Sequence, residues 1–294
     1  MLFYALYLIG SWGALLLPRS LSYWMARRVA DFCCWRSGKD RQAVRRNLQQ
    51  ILGTDHVSTR QVREVFQNFG MYLVDFFRFQ MLSPEAIRRL VKIEGLERMR
   101  EALRSGRGAI GLSAHLGNFE LAGAVLSLSG LPVHAVVLTH RNQFVNRFFE
   151  RQRAKVGVQA IPLMKNDRKA FFETTLSVLR SNQILALVGD RCFSARGLRL
   201  SFFGKSLEVP TGPAAFHLKT GAPIVPAFLV REANGGYRFF VEPPIMISPG
   251  VDREEAVRQV CQSCLDVMAR YIRQYPTQWY FFHEFWEPGP AVIL

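Results

Sequence analysis

The sequence predicts an α/β fold, a mixed central sheet covered by helices, preceded by an N-terminal membrane-associated helical segment. Three observations carry this. From about Val91 onward, short apolar runs alternate with helical stretches, the pattern of a sheet covered by helices on both faces. Met1 to Pro18 contains no charged side chain. Hydrophobic residues make up 49% of the 294 residues and charged residues 21%, which supplies a large core and excludes a disordered or fibrous chain. This length suits one α/β domain with extra helices, so residues 1–36 read as anchoring or interfacial helices and residues 37–294 as the domain proper.

As a helix, the uncharged run would rise about 27 Å, just short of a typical ~30 Å hydrocarbon core. It either spans or lies buried near one face. No basic region precedes it and no small-x-small site follows, which argues against a cleaved signal peptide. Arg19, Arg27 and Arg28 come directly after and, by the positive-inside rule, keep the body of the protein in the cytoplasm. Between Leu21 and Trp35, Tyr23, Trp24, Met25, Val29, Phe32 and Trp35 are interleaved with Arg27, Arg28 and Asp31, a mixture suited to an interfacial helix. The alternative is that both segments are buried core helices.

Ser58 and Gln61 form a capping box, and Val62, Val65, Phe66, Phe69, Tyr72, Leu73, Phe76 and Phe77 follow at helical spacing. Ser83 before Pro84 opens a second, short helix. The predicted strands are Ala109 to Ser113, Val133 to Val137, Gln159 to Ile161, Ile184 to Val188, Ile224 to Val230 and Tyr237 to Val241. Helices are predicted over Asn118 to Leu128, Asn142 to Arg153, Arg168 to Arg180, Gly212 to Thr220 and Arg253 to Tyr275. Gly106, Gly108 and Gly111 match a GxGxxG string, but they lie before and within a strand, so no helix amino terminus faces a pyrophosphate. They read as a helix stop and a turn.

Thirty-eight Lys and Arg against 23 Asp and Glu give a net charge of +15, which implies anionic partners such as phospholipid headgroups, phosphorylated sugars or an acidic carrier protein. Nucleic acid is disfavoured because the basic residues are spread along the chain without a recognised binding motif. Five cysteines without a disulfide framework indicate a reducing compartment. Cys261 and Cys264 form a lone CxxC in a helical pattern. His56, His134, His140, His217 and His283 form no ligand spacing, and no metal is expected.

The segment Ser113-Ala114-His115-Leu116-Gly117-Asn118-Phe119-Glu120 leaves a predicted strand and enters a helix, the place where α/β folds bind ligands. With His115 in the turn and Glu120 in the first helical turns, the carboxylate could reach back to the imidazole Nδ1–H. Nε2 would then be left to take a proton from an attacking hydroxyl. Exposed amides at the helix start would hold an oxyanion or a phosphate. The plainer alternative is a His that ends a strand and a first-turn acid favoured by the helix dipole. Asn118 either orients a substrate hydroxyl or caps the helix.

His115-Leu116-Gly117-Asn118-Phe119-Glu120 resembles the HxxxxD/E signature of the lysophospholipid acyltransferase superfamily, and specifically the lipid A late acyltransferases. Further resemblance lies in Arg46-Asn47-Leu48, Arg141-Asn142, Gly189-Asp190-Arg191, Phe202-Phe203-Gly204, Pro210-Thr211-Gly212-Pro213-Ala214, Gly221-Ala222-Pro223-Ile224-Val225-Pro226 and Gln278-Trp279. Their order and spacing match over most of the chain. The resemblance implies a glycerolipid acyltransferase-like fold, an acyltransferase domain over residues 37–294 and His115 with Glu120 as the catalytic pair. It also implies a place on the cytoplasmic face of the bacterial inner membrane. The acyl donor would be an acyl carrier protein or coenzyme A thioester, with no cofactor.

By similarity, Arg141 matches a basic residue that could pair with a phosphate; otherwise it is a solvated helix start. Asp190, at a predicted strand end, resembles the family residue that shapes the acceptor site. Arg191 beside it departs from the family pattern and favours a more anionic headgroup. Thr211 and Gly212 either cap their helix or face a phosphate. Arg196, Arg199, Lys205 and Lys219 either steer an acidic carrier protein or form a solvated face. The functions in competition are O-acylation in lipid A biosynthesis, acylation of another amphiphile (a lysophospholipid, an amino-acid lipid or a glycolipid), and non-catalytic lipid binding.

Overall fold

The computed structural model describes residues 2–139, 142–163, 167–192, 197–247 and 250–286. The chain opens with α1 (Leu2–Leu16) and α2 (Arg19–Arg36). Pro18 separates them, because the residue before a proline is driven out of the helical region. Then come α3 (Gly38–Leu52), capped by Ser37 and stopped by left-handed Gly53, and α4 (Thr59–Phe77), which carries the predicted Ser58–Gln61 capping box. α5 (Pro84–Leu90) starts at Ser83 and Pro84 as the sequence predicts.

The remaining elements are β1 (Val91–Glu94), α6 (Leu96–Arg104), β2 (Ala109–Ser113), α7 (Phe119–Leu128), β3 (Val133–Val137), α8 (Gln143–Lys155), β4 (Val158–Pro162), α9 (Arg168–Arg180) and β5 (Ile184–Val188). β6 (Leu198–Phe202), β7 (Lys205–Val209), α10 (Gly212–Thr220), β8 (Ile224–Arg231), β9 (Tyr237–Val241) and α11 (Arg253–Gln274) follow. The glycine string from Gly106 to Gly111 lies between α6 and β2 and within β2, a helix stop and a turn.

Seven strands form one sheet in the order β1-β9-β8-β2-β5-β3-β4. Every neighbouring pair is parallel except β8 with β9, so the sheet is mixed but mostly parallel. Its centre is buried on both faces, and every residue of β8 is buried, as a near-continuous apolar strand requires. The period of two sorts that strand between two cores. Ile224, Phe228 and Val230 pack with α9, α10 and α11, whereas Val225, Ala227 and Leu229 pack with α4, α6, α7 and α8. A third cluster joins Ala30 and Cys34 of α2 to Val62, Val65 and Phe66 of α4.

β6 and β7 form a separate antiparallel hairpin that the sequence reading does not contain. Its two turn residues, Phe203 and Gly204, both have positive φ (53° and 80°), as the tight hairpin turn that matches strand twist demands.

The amino-terminal segment is helical, as expected. However, no helix among the described residues is long and apolar enough to cross a membrane. Along α1 and α2, Ile9, Trp12, Leu16, Trp24, Val29, Phe32 and Trp35 are exposed, so these helices are not simply buried core.

Candidate active site

β2 and β5 lie side by side and parallel, with Ser113 opposite Val188. Two residues beyond each partner stand His115 and Asp190. Sheet register therefore brings together a base and an acid 75 residues apart in sequence. Gly189 N donates to Ser113 O (2.8 Å), which fixes the two strand ends.

His115 Nδ1 and Asp190 Oδ1 are 2.7 Å apart, and the His115 amide donates to Asp190 Oδ2 (2.8 Å). Trp279 Nε1 donates to the same oxygen (2.9 Å). The carboxylate is fully buried, whereas the imidazole keeps 24% of its side chain exposed. Burial pushes the Asp190 carboxyl up, but the His115 charge and the bonds from His115 and Trp279 outweigh it and hold the group below the usual carboxylate range. Among the described residues, none hydrogen-bonds His115 Nε2. Rings flank the imidazole on two sides, Phe119 at 5.2 Å and Phe281 at 5.5 Å.

The expected reach of Glu120 back to His115 is not made. Glu120 turns to α8, where Arg153 donates from Nε to Oε2 (2.9 Å) and from Nη2 to Oε1. The pair is almost fully buried, 10% and 11% exposed. A carboxylate in the first turn of α7 could orient the imidazole only if no nearer cation held it, and Arg153 does.

Asn118 is fully buried and caps α7, its Oδ1 accepting from Leu121 N (3.0 Å). Of its two expected roles, the cap is the one this burial allows. The amides of Gly117 and Asn118 are already bonded to Gln278 O and Leu229 O (2.8 Å each). Of the amides expected at the helix start, those of Phe119 and Glu120 are left as candidate oxyanion donors.

Thr211 makes no side-chain cap, so the hydroxyl cap expected of it is absent. Neither it nor Gly212 hydrogen-bonds to the His115–Asp190 pair. Arg141, together with His140 and Arg196, lies outside the described residues. Arg191 sits over the Phe281 ring at 5.5 Å. His283 is held below its ordinary value by burial, then by Arg191 and His115, which favours its neutral form and leaves Arg191 as the cation of this wall. Cys261 and Cys264 are buried in α11; burial raises Cys261 to about 11 and Cys264 further, which suppresses the thiolate that redox chemistry needs. No cluster able to hold a metal occurs among the described residues.

Sequence reasoning missed the structural work of three residues. Trp279 completes the Asp190 shell, and Arg153 holds Glu120. Asn47 pins the carboxy-terminal segment: its Nδ2 donates to Phe281 O (3.2 Å) and His283 O (2.9 Å), and its Oδ1 accepts from Phe285 N (3.0 Å). Trp279 and Asn47 belong to motifs singled out in the sequence, but the contacts join segments too distant for spacing to reveal.

A family model described as bacterial lipid A biosynthesis acyltransferase matches residues 1–287. The chain is 27% identical over 248 residues to a phosphatidylinositol mannoside acyltransferase of Mycolicibacterium smegmatis, covering 83% of this chain and 79% of that one. A Mycobacterium tuberculosis protein with the same description is 26% identical over 249 residues, covering 83% and 77%. A lipid A biosynthesis palmitoleoyltransferase of Escherichia coli is 21% identical over 259 residues, covering 86% and 81%.

Proposed function

The chain belongs to the bacterial lipid A biosynthesis acyltransferase family and is an acyltransferase, and from that premise we propose that it moves a fatty acyl group from a thioester to a hydroxyl of a sugar-bearing lipid, with His115 as general base. One observation carries this reading: the imidazole has Nδ1 tied to buried Asp190 at 2.7 Å and, among the described residues, an unclaimed Nε2, at the carboxyl edge of the sheet. Nε2 takes the proton of the acceptor hydroxyl, whose own pKa is far too high for unaided attack. Asp190 fixes the tautomer and stabilises the imidazolium. The oxygen attacks the thioester carbonyl, the C–S bond breaks, and the imidazolium returns its proton to the departing thiolate. The aromatic walls, Phe119 and Phe281, suit an acyl chain. Glu120 acts in this scheme by locking α7 to α8 through Arg153.

The acceptor is a lipid A precursor, and the donor an acyl carrier protein or coenzyme A thioester. The reaction takes place at the cytoplasmic face of the inner membrane, with α1 and α2 at the lipid surface. A second acceptor, a phosphatidylinositol mannoside-like glycolipid, is favoured by the higher identities to proteins so described. The Arg191 guanidinium, beside the neutral His283, suits an anionic headgroup in either case.

His115→Ala is expected to lower turnover per folded molecule by at least about 10²-fold, with some loss of stability because buried Asp190 loses a donor. Turnover close to wild type would remove the general-base role. Offering both thioesters with both acceptors, and reading products by mass spectrometry, distinguishes the acceptors. Transfer to the mannoside lipid alone would exclude the lipid A assignment.

A further inference from the structure

Away from the His115–Asp190 pair lies a cavity of about 750 Å³ whose wall includes Arg27, Arg60, Arg63 and Arg231, together with Asn68 and Thr277. We propose that it is a phosphate-binding site that takes the headgroup of an anionic bilayer lipid.

The charge balance of the wall asks for an anion. Two carboxylates also line it, Glu64 and Glu232. Glu64 faces Arg60 (3.0 Å), whereas Glu232 is taken by Arg238 (2.7 Å), outside the wall. Arg63 pairs with Asp31 of α2. Arg27 donates from Nε only to Met71 Sδ (3.3 Å) and has no carboxylate partner among the described residues.

Arg231 is the sharper case, because it is 91% buried, its relative exposure being 9%. Nη2 donates to Tyr237 OH (3.2 Å) and Nη1 reaches Asn68 Oδ1 at 3.4 Å, but Nε has no partner. The acid next to Tyr237, Asp75, accepts from its hydroxyl and is ion-paired with Arg19 at 3.0 Å. Arg231 therefore reaches Asp75 only through the Tyr237 hydroxyl and has no carboxylate partner of its own among the described residues, and a guanidinium does not lose its proton in a protein. An unneutralised, partly unbonded buried cation is costly, and a phosphate, whose oxygens accept forked Arg bonds, offsets that cost.

The position of the wall selects the source. Tyr23 and Arg27 line the cavity from α2, the helix that exposes Trp24, Met25 and Val29. Acyl chains meeting those residues would leave their headgroup at the level of Arg27. A soluble phosphate gains nothing from that neighbourhood. The site is independent of the transferase chemistry proposed above.

The test titrates the full chain with dihexanoyl phosphatidylglycerol, glycerol phosphate and inorganic phosphate, reading the unfolding midpoint and calorimetric affinity. Arg27→Gln with Arg60→Gln is the working variant, since both side chains are exposed and their loss leaves the buried network alone. The lipid is expected to raise the midpoint of the wild type, and the double variant to bind it about tenfold or more weakly, the loss of at least one charge-assisted hydrogen bond. Arg88→Gln with Arg89→Gln, a basic pair on α5, is expected to leave affinity unchanged. Equal affinity of wild type and the Arg27/Arg60 variant would overturn the site. Equal weakening by the α5 pair would show diffuse charge attraction and overturn it too. Inorganic phosphate protecting as well as the lipid would overturn the lipid source.

Discussion

Asp190 spends two oxygens on three donors, the ring and amide of His115 and the indole of Trp279. Its depressed pKa makes it a stability element as well as a positioning group. Because the folded value lies below the unfolded one, its contribution is complete above the ordinary carboxylate value of ~3.9 and is lost as pH falls through the lower folded value. Denaturant midpoints are therefore expected to fall as pH drops below about 4 and through the lower folded value, with a shallower fall in Asp190→Asn. The same substitution keeps an acceptor for Nδ1–H but removes the charge that stabilises the imidazolium, so turnover is expected to drop about 10²-fold or more. Glu120→Gln separates the two acids. It leaves buried Arg153 without a counter-charge, and unfolding free energy is expected to fall by about 3–5 kcal/mol. Turnover per folded molecule should suffer less than in Asp190→Asn. The reverse ranking would return the orienting role to Glu120.

At the scale of elements, the turn from β2 into α7 decides where His115 stands. Gly117 has φ +62°, and a Cβ there would lie 2.0 Å from Leu229 O. Gly117→Ala is therefore expected to cost more than about 2 kcal/mol, through both strain and collision, and to displace His115 from Asp190. Denaturation and turnover measured together check it, and a fully active, equally stable variant would refute the close approach. This turn was legible in the sequence because a strand run, a glycine and a capping Asn follow one another within a few residues. β1 was not, since Val91-Lys92-Ile93-Glu94 is too short and too directly joined to α5 to show its period. β6 and β7 were missed, although Leu198, Leu200 and Phe202 alternate with Arg199 and Ser201, and Leu207 and Val209 flank Glu208, because these half-exposed strands form no short apolar run. The His115–Asp190 contact was hidden for a different reason. It depends on β5 inserting between β2 and β3 in the sheet, an order that no local pattern records.

At the scale of the molecule, the apolar face of α1 and α2 is the feature that packing does not explain. The 15 residues of α1 rise about 22 Å, too little for a ~30 Å core, yet Trp12, Trp24, Phe32 and Trp35 are between 59% and 71% exposed. A face of this kind either lies in a lipid interface or meets another protein surface. The net charge of +15 favours the lipid, because anionic headgroups attract what like-charged copies of the chain repel. Full burial of a large apolar side chain is worth roughly 1.5–3 kcal/mol, and an interface delivers part of that. Replacing Trp24, Phe32 and Trp35 together by Ser is therefore expected to weaken binding to anionic vesicles by about tenfold or more, with helix content unchanged by circular dichroism. Flotation of wild type and variant checks the affinity, and sedimentation in neutral detergent checks the rival. If the wild type were a dimer that the triple substitution dissolves while vesicle binding persists, the face would belong to a second copy and not to the bilayer.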